Sequence, residues 1–351
     1  MKNLIYSIIN LQLFATHVNV TTDVRTSGQT YPEYNDLSAE MKTFYDMTLI
    51  DEAAPQLVHD QFGQKRPIPQ GGGKSIEFRK FAPLNKALTP LTEGVTPDGS
   101  RLEVSKITAE VAQYGDFIVQ SDVLELTALD NTILEATKLL GRQAGLTLDT
   151  ITRNVLQSGT NVSFASKWSG STETAVTTRA GLDTTAVLKV DTVMRVVAKL
   201  RACNAPTING DYVAIIHPYA AYDLMRDPEW IDAHKYATPE NLYEGEIGKI
   251  GGVRFVQSSE AKIYGDGGSG GNLAVFGTLF IAEGAFGVTE ITGGGLETIV
   301  KQKGSAGTAD PLNQRSSVGW KAIKTAEILI PDYLVRVESC SGKFNSASLA
   351  N

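Results

Sequence analysis

The chain has 351 residues, 42% hydrophobic and 20% charged, with a formal net charge of −7. That length supports one large core or two modest ones. The acidic balance lacks the excess of base that tight, sequence-independent nucleic-acid binding draws on, although loose enclosure of a polyanion stays open because an acidic wall does not grip it.

Lys2 precedes the apolar run LIYSIINLQLFA, which Ser7, Asn10 and Gln12 interrupt. It is too short and polar to span a bilayer, and no clean small-x-small cleavage site follows. It reads as an N-terminal arm that packs on something, with a secretory signal as the alternative. Residues 16–36 are polar and hold too little apolar content for a core of their own. Leu37, Met41, Phe44, Tyr45 and Leu49 then recur at helical spacing, with Ser38 placed to cap.

The stretch QGGGKS, Gln70 to Ser75, resembles the end of a phosphate-binding loop. The full pattern needs a glycine five residues before the Gly-Lys-Ser, and Ile68 stands there between Pro67 and Pro69. A phosphate loop also opens a helix. Here Ile76, Phe78 and Phe81 alternate with Glu77, Arg79 and Lys80, which is strand periodicity with one slip near Phe81. Gly71–Ser75 therefore reads as a turn before an exposed strand. Residues 74–118 have strand character at both ends around Pro83, Pro90, Gly94, Pro97 and Gly99, so the expectation is a long two-stranded excursion with a loose tip. An isolated hairpin is unstable in water, and its open edges invite another chain.

Asp122 and Glu125 have capping-box spacing. After them Ile133, Ala136, Leu140, Ala144, Leu148, Ile151 and Val155 make one apolar stripe over more than six turns, the pattern of a spine helix. Gly141 and Gly145 permit close approach of another backbone, and Gly159 suits the position after the helix end. Residues 161–181 are rich in Ser, Thr and Gly and read as a connection between domains. Alternating α and β signals follow. Val193, Val197 and Leu200 mark a helix that Pro206 closes, and Asn209-Gly210 a turn. YVAIIH (Tyr212–His217) reads as a buried strand, with Pro218 opening a helix. VRFV (Val253–Val256) is a strand, GDGGSGG (Gly265–Gly271) a loop and LAVFGTLFIA (Leu273–Ala282) a strand. The closing VGWKAIKTAEILIPDYLVRVES reads as two strands meeting near Ile330-Pro331.

No catalytic constellation emerges. Cys203 and Cys340 are far apart without metal or redox spacing; Cys203 reads as a buried thiol, and a reducing cytosol fits, with one disulfide as the alternative. His17, His59, His217 and His234 include no metal-ligand pair, and His217 reads as structural. Asp266 and Asp310 sit in glycine-rich loops, where solvated acids are commoner than cation ligands. No catalytic, cofactor-binding or metal residues are expected.

The stretches GGGKSIEFRKF, LTEGVTPDG, QYGDFIVQSDVLELTALD, LLGRQAGLTLDT and GWKAIKTAEILIPDYLVRVES, with NLQLFA near the start, cover most of residues 10–340. They resemble the major capsid proteins of tailed double-stranded-DNA bacteriophages, the Hong Kong 97-type fold, and the N-four-like capsid family in particular. The resemblance implies an α+β chain with an N-terminal arm over 1–36, a helix and connection over 37–73 and an extended β-hairpin loop over 74–112. It implies a peripheral domain with the spine helix over 113–181, an α/β axial domain over 182–315, and strands returning to the peripheral domain, with a tail, over 316–351. It implies a structural, non-enzymatic subunit, made in the host bacterial cytoplasm, that joins copies of itself into hexamers and pentamers of an icosahedral head. That head would enclose double-stranded DNA without sequence-specific binding, with no membrane and no cofactor; scaffolding, portal and decoration proteins are candidate partners. Some relatives cross-link a loop lysine to a neighbour's asparagine; Lys80 and Lys86 do not match that motif, and the chemistry is not carried over. Charged loop residues Glu77, Arg79, Lys80, Glu93, Asp98 and Arg101 are the expected inter-subunit contacts. An encapsulin-like compartment shell, a soluble nucleotide-binding enzyme using Gly71–Ser75, and a secreted surface protein are the competing readings.

Overall fold

The computed structural model of the chain describes residues 47–53, 57–67, 74–81, 84, 86, 88, 90, 93, 94, 99–127, 132–170, 172–235, 248–289, 296–305 and 310–351. The N-terminal arm and most of the helix expected over 37–49 lie outside them. Residues 47–53 are helical (α1), so that helix continues past Leu49.

In chain order, a 3-10 turn at His59–Phe62 leads into β1 (Gln64–Arg66). β2 (Ser75–Phe81) and β3 (Val104–Glu110) pair antiparallel, from Ser75 opposite Glu110 to Phe81 opposite Val104. The register is continuous, so the expected slip near Phe81 leaves no bulge. β4 (Ala112–Ser121) precedes α2 (Asp122–Thr127) and the 26-residue α3 (Thr132–Gln157). Ser121 caps α2: the Leu124 N–H donates to Ser121 Oγ at 3.3 Å. Glu125's side chain lies outside the described residues. β5 (Val162–Phe164), β6 (Lys167–Ser169) and β7 (Thr172–Thr174) occupy the segment whose composition suggests a connection. Then come α4 (Val190–Ala202), β8 (Tyr212–Ile216), α5 (Pro218–Met225) and α6 (Pro228–Lys235). β9 (Lys249–Ile250), β10 (Val253–Gln257), β11 (Ile263–Gly267), β12 (Leu273–Ile281) and β13 (Phe286–Thr289) follow. β14 (Leu296–Lys301), β15 (Arg315–Lys324), β16 (Ala326–Ile328) and β17 (Leu334–Ser339) close the chain.

Two compact units result. The smaller takes residues 1–54, 115–144 and 296–321, and the larger takes 55–114, 145–295 and 322–351. In the smaller unit β14, β15 and β4 form a three-stranded sheet. The first half of α3 and α1 approach closely at Gly141, where a Cβ would meet the Leu49 carbonyl oxygen at 2.9 Å.

The larger unit is built on a seven-stranded sheet of order β5-β17-β12-β8-β10-β9, with β11 also paired to β12. All five residues of β8 are buried. It runs parallel to β10 and antiparallel to β12, which suits an unbroken apolar strand covered on both faces. Val193, Val197 and Leu200 of α4 join Ile216, Phe276 and Phe280 in its main core. The Asn209-Gly210 turn carries φ of 54° and 92°, conformations that these residues adopt most readily. His217 caps α5: its Nδ1 accepts from the Tyr219 N–H at 3.1 Å, and burial pulls its pKa down to about 4.

Several expectations change. Gly265–Gly267 belong to β11 rather than a loop, because β12 offers an edge for them to pair with. Cys203 is exposed just beyond the end of α4, while Cys340 is buried and its thiol pushed up to about 12; both are free. Gly159 has no left-handed φ; it makes room for the side chains of Ile328 and Leu334, 3.4 Å from where its Cβ would lie. Asp266 binds the Arg179 guanidinium, and Asp310 is buried and accepts the Arg315 N–H at 2.8 Å. The closing segment forms three strands, β15, β16 and β17, rather than two.

Candidate functional site

Among the described residues no group of His, Cys, Asp and Glu could hold a metal ion, and no helix is long and apolar enough to cross a membrane. Ser75, after the glycine run, starts a strand rather than a helix, so the dipole and free N–H groups of a phosphate site do not follow it. The features that call for an explanation are exposed apolar surfaces.

The β2–β3 hairpin has two unlike ends. Its root is fixed in the larger unit: Ile76, Phe78 and Ala109 are buried with Leu329 and flanked by Ile107, Val111 and Ile330. Phe78 lies against the backbone of Gly287, where an added Cβ would come within 2.2 Å of the ring. A glycine inside β13 thus makes the slot that holds the hairpin. Farther out, every described residue from Leu84 to Glu103 is exposed, including Leu84, Leu102 and Leu88, the last at 82%. Leucines left in water gain nothing from folding of the lone chain.

The expected contact residues spread along this element. Glu77 is exposed and accepts from Lys106 at 3.0 Å, and that hydrogen bond holds its carboxyl below the usual range. Arg79 is exposed and stands directly opposite Lys106, whose ammonium Glu77 already engages. Lys80 lies on β2, but its side chain is outside the described residues, as is Asp98. Glu93 and Arg101 are exposed in the outer part.

The smaller unit presents a second apolar surface, which periodicity alone did not flag. On β4, Asp116 accepts from Gln143 Nε2 at 2.6 Å, and Trp320 Nε1 donates to Gln143 Oε1 at 3.3 Å, tying the sheet to α3. Strand alternation turns Phe117 and Val119 the other way. Gly319 on β15 lets the Phe117 Cβ lie within 2.7 Å of where its own would be. Phe117 is 67% exposed, and Val119 on the same strand face is exposed as well. The signal for it was present in QYGDFIVQSDVLELTALD, an apolar-rich stretch without enough polar partners to be a solvated face.

The sequence profile of the phage capsid protein family matches residues 104–337, and the chain belongs to that family. No curated protein sequence matches it. Among solved structures, the capsid of Ralstonia phage GP4 is similar with a TM-score of 0.64 at 15% identity, over 93% of this chain and 98% of that one. The capsid of cyanophage Pam1 gives 0.63 at 13%, over 94% and 99%. The capsid of cyanophage P-SCSP1u gives 0.62 at 14%, over 91% and 93%. The fold is the mixed α+β Hong Kong 97-like capsid fold, and the protein is a non-enzymatic major capsid protein of a phage head.

Proposed function

We propose that this major capsid protein closes into an icosahedral head of hexamers and pentamers around double-stranded DNA, each copy laying its β2–β3 hairpin over the smaller unit of the next. The observation that carries this reading is the exposure of every described residue of the hairpin from Leu84 to Glu103, leucines included. Each leucine buried against a neighbour contributes about 1.5–3 kcal/mol, which offsets the entropy of ordering the loop. The face around Phe117 and Gly319 is the receiving surface in this reading, and the Glu77, Arg79, Lys80, Glu93, Asp98 and Arg101 set supplies register. The interface is head-to-tail, so it generates rings and shells rather than isolated dimers.

The domain scheme inferred from the resemblance belongs to the same reading: the 74–112 loop, the spine-helix peripheral domain and the 182–315 axial domain, which meets its copies at the hexamer and pentamer centres. So does the finer placement with the N-four-like capsids, supported by QYGDFIVQSDVLELTALD and the closing strand segment. A scaffolding protein is a further partner proposed, for size control.

Electron microscopy of the purified chain, alone and with infected-cell lysate, tests the proposal. Arg79→Glu with Lys80→Glu is expected to leave a folded subunit and abolish particles. Normal particles from that double variant overturn the register role. Particles filled with a cargo protein instead of DNA would favour the compartment-shell reading.

A further inference from the structure

One group of polar side chains is sealed inside the larger unit, away from the exposed surfaces described above. Lys324, at the end of β15, donates from Nζ to Asp60 Oδ2, and the lysine side chain is fully buried. The other oxygen, Asp60 Oδ1, accepts from Thr152 Oγ on α3 at 2.6 Å. Beside them His59 presents its backbone N–H and its ring Nδ1 to Asp149, each at 2.7 Å, with both side chains fully buried. His59 Nε2 has no hydrogen-bond partner among the described residues. Burial depresses the Lys324 ammonium; Asp60 and Asp149 oppose that, and Lys65 adds to it.

We propose that Lys324 and Asp60 condense into an intramolecular isopeptide bond. A desolvated amine, a carboxyl in contact with it, a hydroxyl aimed at the carboxyl oxygen and a second carboxylate nearby are the groups this reaction needs. Passing the proton from ammonium to carboxylate gives a neutral amine and a neutral acid, the forms that a low-dielectric site favours. The Nζ lone pair then attacks Asp60 Cγ, and Thr152 Oγ–H stabilises the charge that develops on Oδ1. The Nζ–Cγ bond forms and the Cγ–Oδ2 bond breaks. Oδ2 leaves as water with the carboxyl proton and one amine proton. No oxidant or cofactor enters the balance. The product removes two buried charges whose desolvation an ion pair only partly repays. It also closes a loop between positions 264 apart, in a chain whose two cysteines are both free.

The test is the intact mass of the purified full chain under denaturing conditions, followed by tryptic mapping. The expected result is a mass one water below that of the sequence, with one branched peptide joining the segments around Asp60 and Lys324 and no cleavage after Lys324. Lys324→Arg should restore the full mass, and Asp60→Asn should lose ammonia in place of water at the same junction. Full mass in the unaltered chain, with the two segments recovered as separate linear peptides, overturns the proposal and leaves an ordinary buried ion pair. That measurement needs no variant to fold.

Discussion

The seven-stranded sheet of the larger unit and the three-stranded sheet of the smaller one draw on the same residue types and end differently. In the first, β8 and most of β12 are buried on both faces. In the second, Trp320 and Asp116 face α3, while Phe117 and Val119 stay exposed. One sheet completes its core within the chain. The other leaves apolar side chains on one strand face exposed among the described residues. Stability and assembly should therefore separate by region.

The sharpest check is a cavity in the completed sheet. Phe280→Ala should cost about 3–5 kcal/mol and leave little folded subunit, read by denaturant unfolding. A second check uses acid. The folded pKa of His217 lies below its ordinary 6.5, at about 4, because of burial. The unfolded chain takes up that proton first as pH falls. The contribution is full above pH 6.5, declines between pH 6.5 and 4, and totals roughly 3 kcal/mol by the linkage of pKa to stability. His217→Asn keeps an acceptor for the Tyr219 N–H, so its melting temperature should vary less over that window; an unchanged slope would refute the assignment.

Between the two sheets in expected size stands the hairpin root. Gly287→Ala forces the Phe78 ring to move, at about 1–3 kcal/mol. Faster hydrogen exchange at residues 75–81 and 104–110 would register the loosened root. The smallest stability effect belongs to the open sheet. Phe117→Ser should change subunit unfolding by less than about 0.5 kcal/mol while particle yield collapses. If it unfolds the subunit instead, that face is core and the contrast between the sheets fails.

Much of this fold was readable beforehand. The stripe from Ile133 to Val155 became α3, YVAIIH became β8 and its helix cap, and Ile76 and Phe78 marked β2, because each carries a strong local period. Polar residues that periodicity treats as solvent-facing were harder. Asp149, Thr152 and Gln157 lie on α3 yet are buried, because partners distant in the chain (His59, Asp60, Gly277) satisfy them there. Cys203 misled for the opposite reason: helical periodicity continued into a residue that turned out to lie beyond the helix end. Of the candidate contact residues, Glu77, Arg79, Glu93 and Arg101 are exposed, which fits a contact role without assigning partners.

Taken alone, the sequence determined the strongly periodic elements, α3, β2 and β8, and that a hairpin interrupts the chain, since those follow from local spacing and residue type. Only the tertiary structure decided that Gly287 makes the slot for Phe78, that Phe117 lies on an uncovered face, and that Lys324 is sealed against Asp60. Burial is a property of what the rest of the chain leaves uncovered, and no local pattern carries that information.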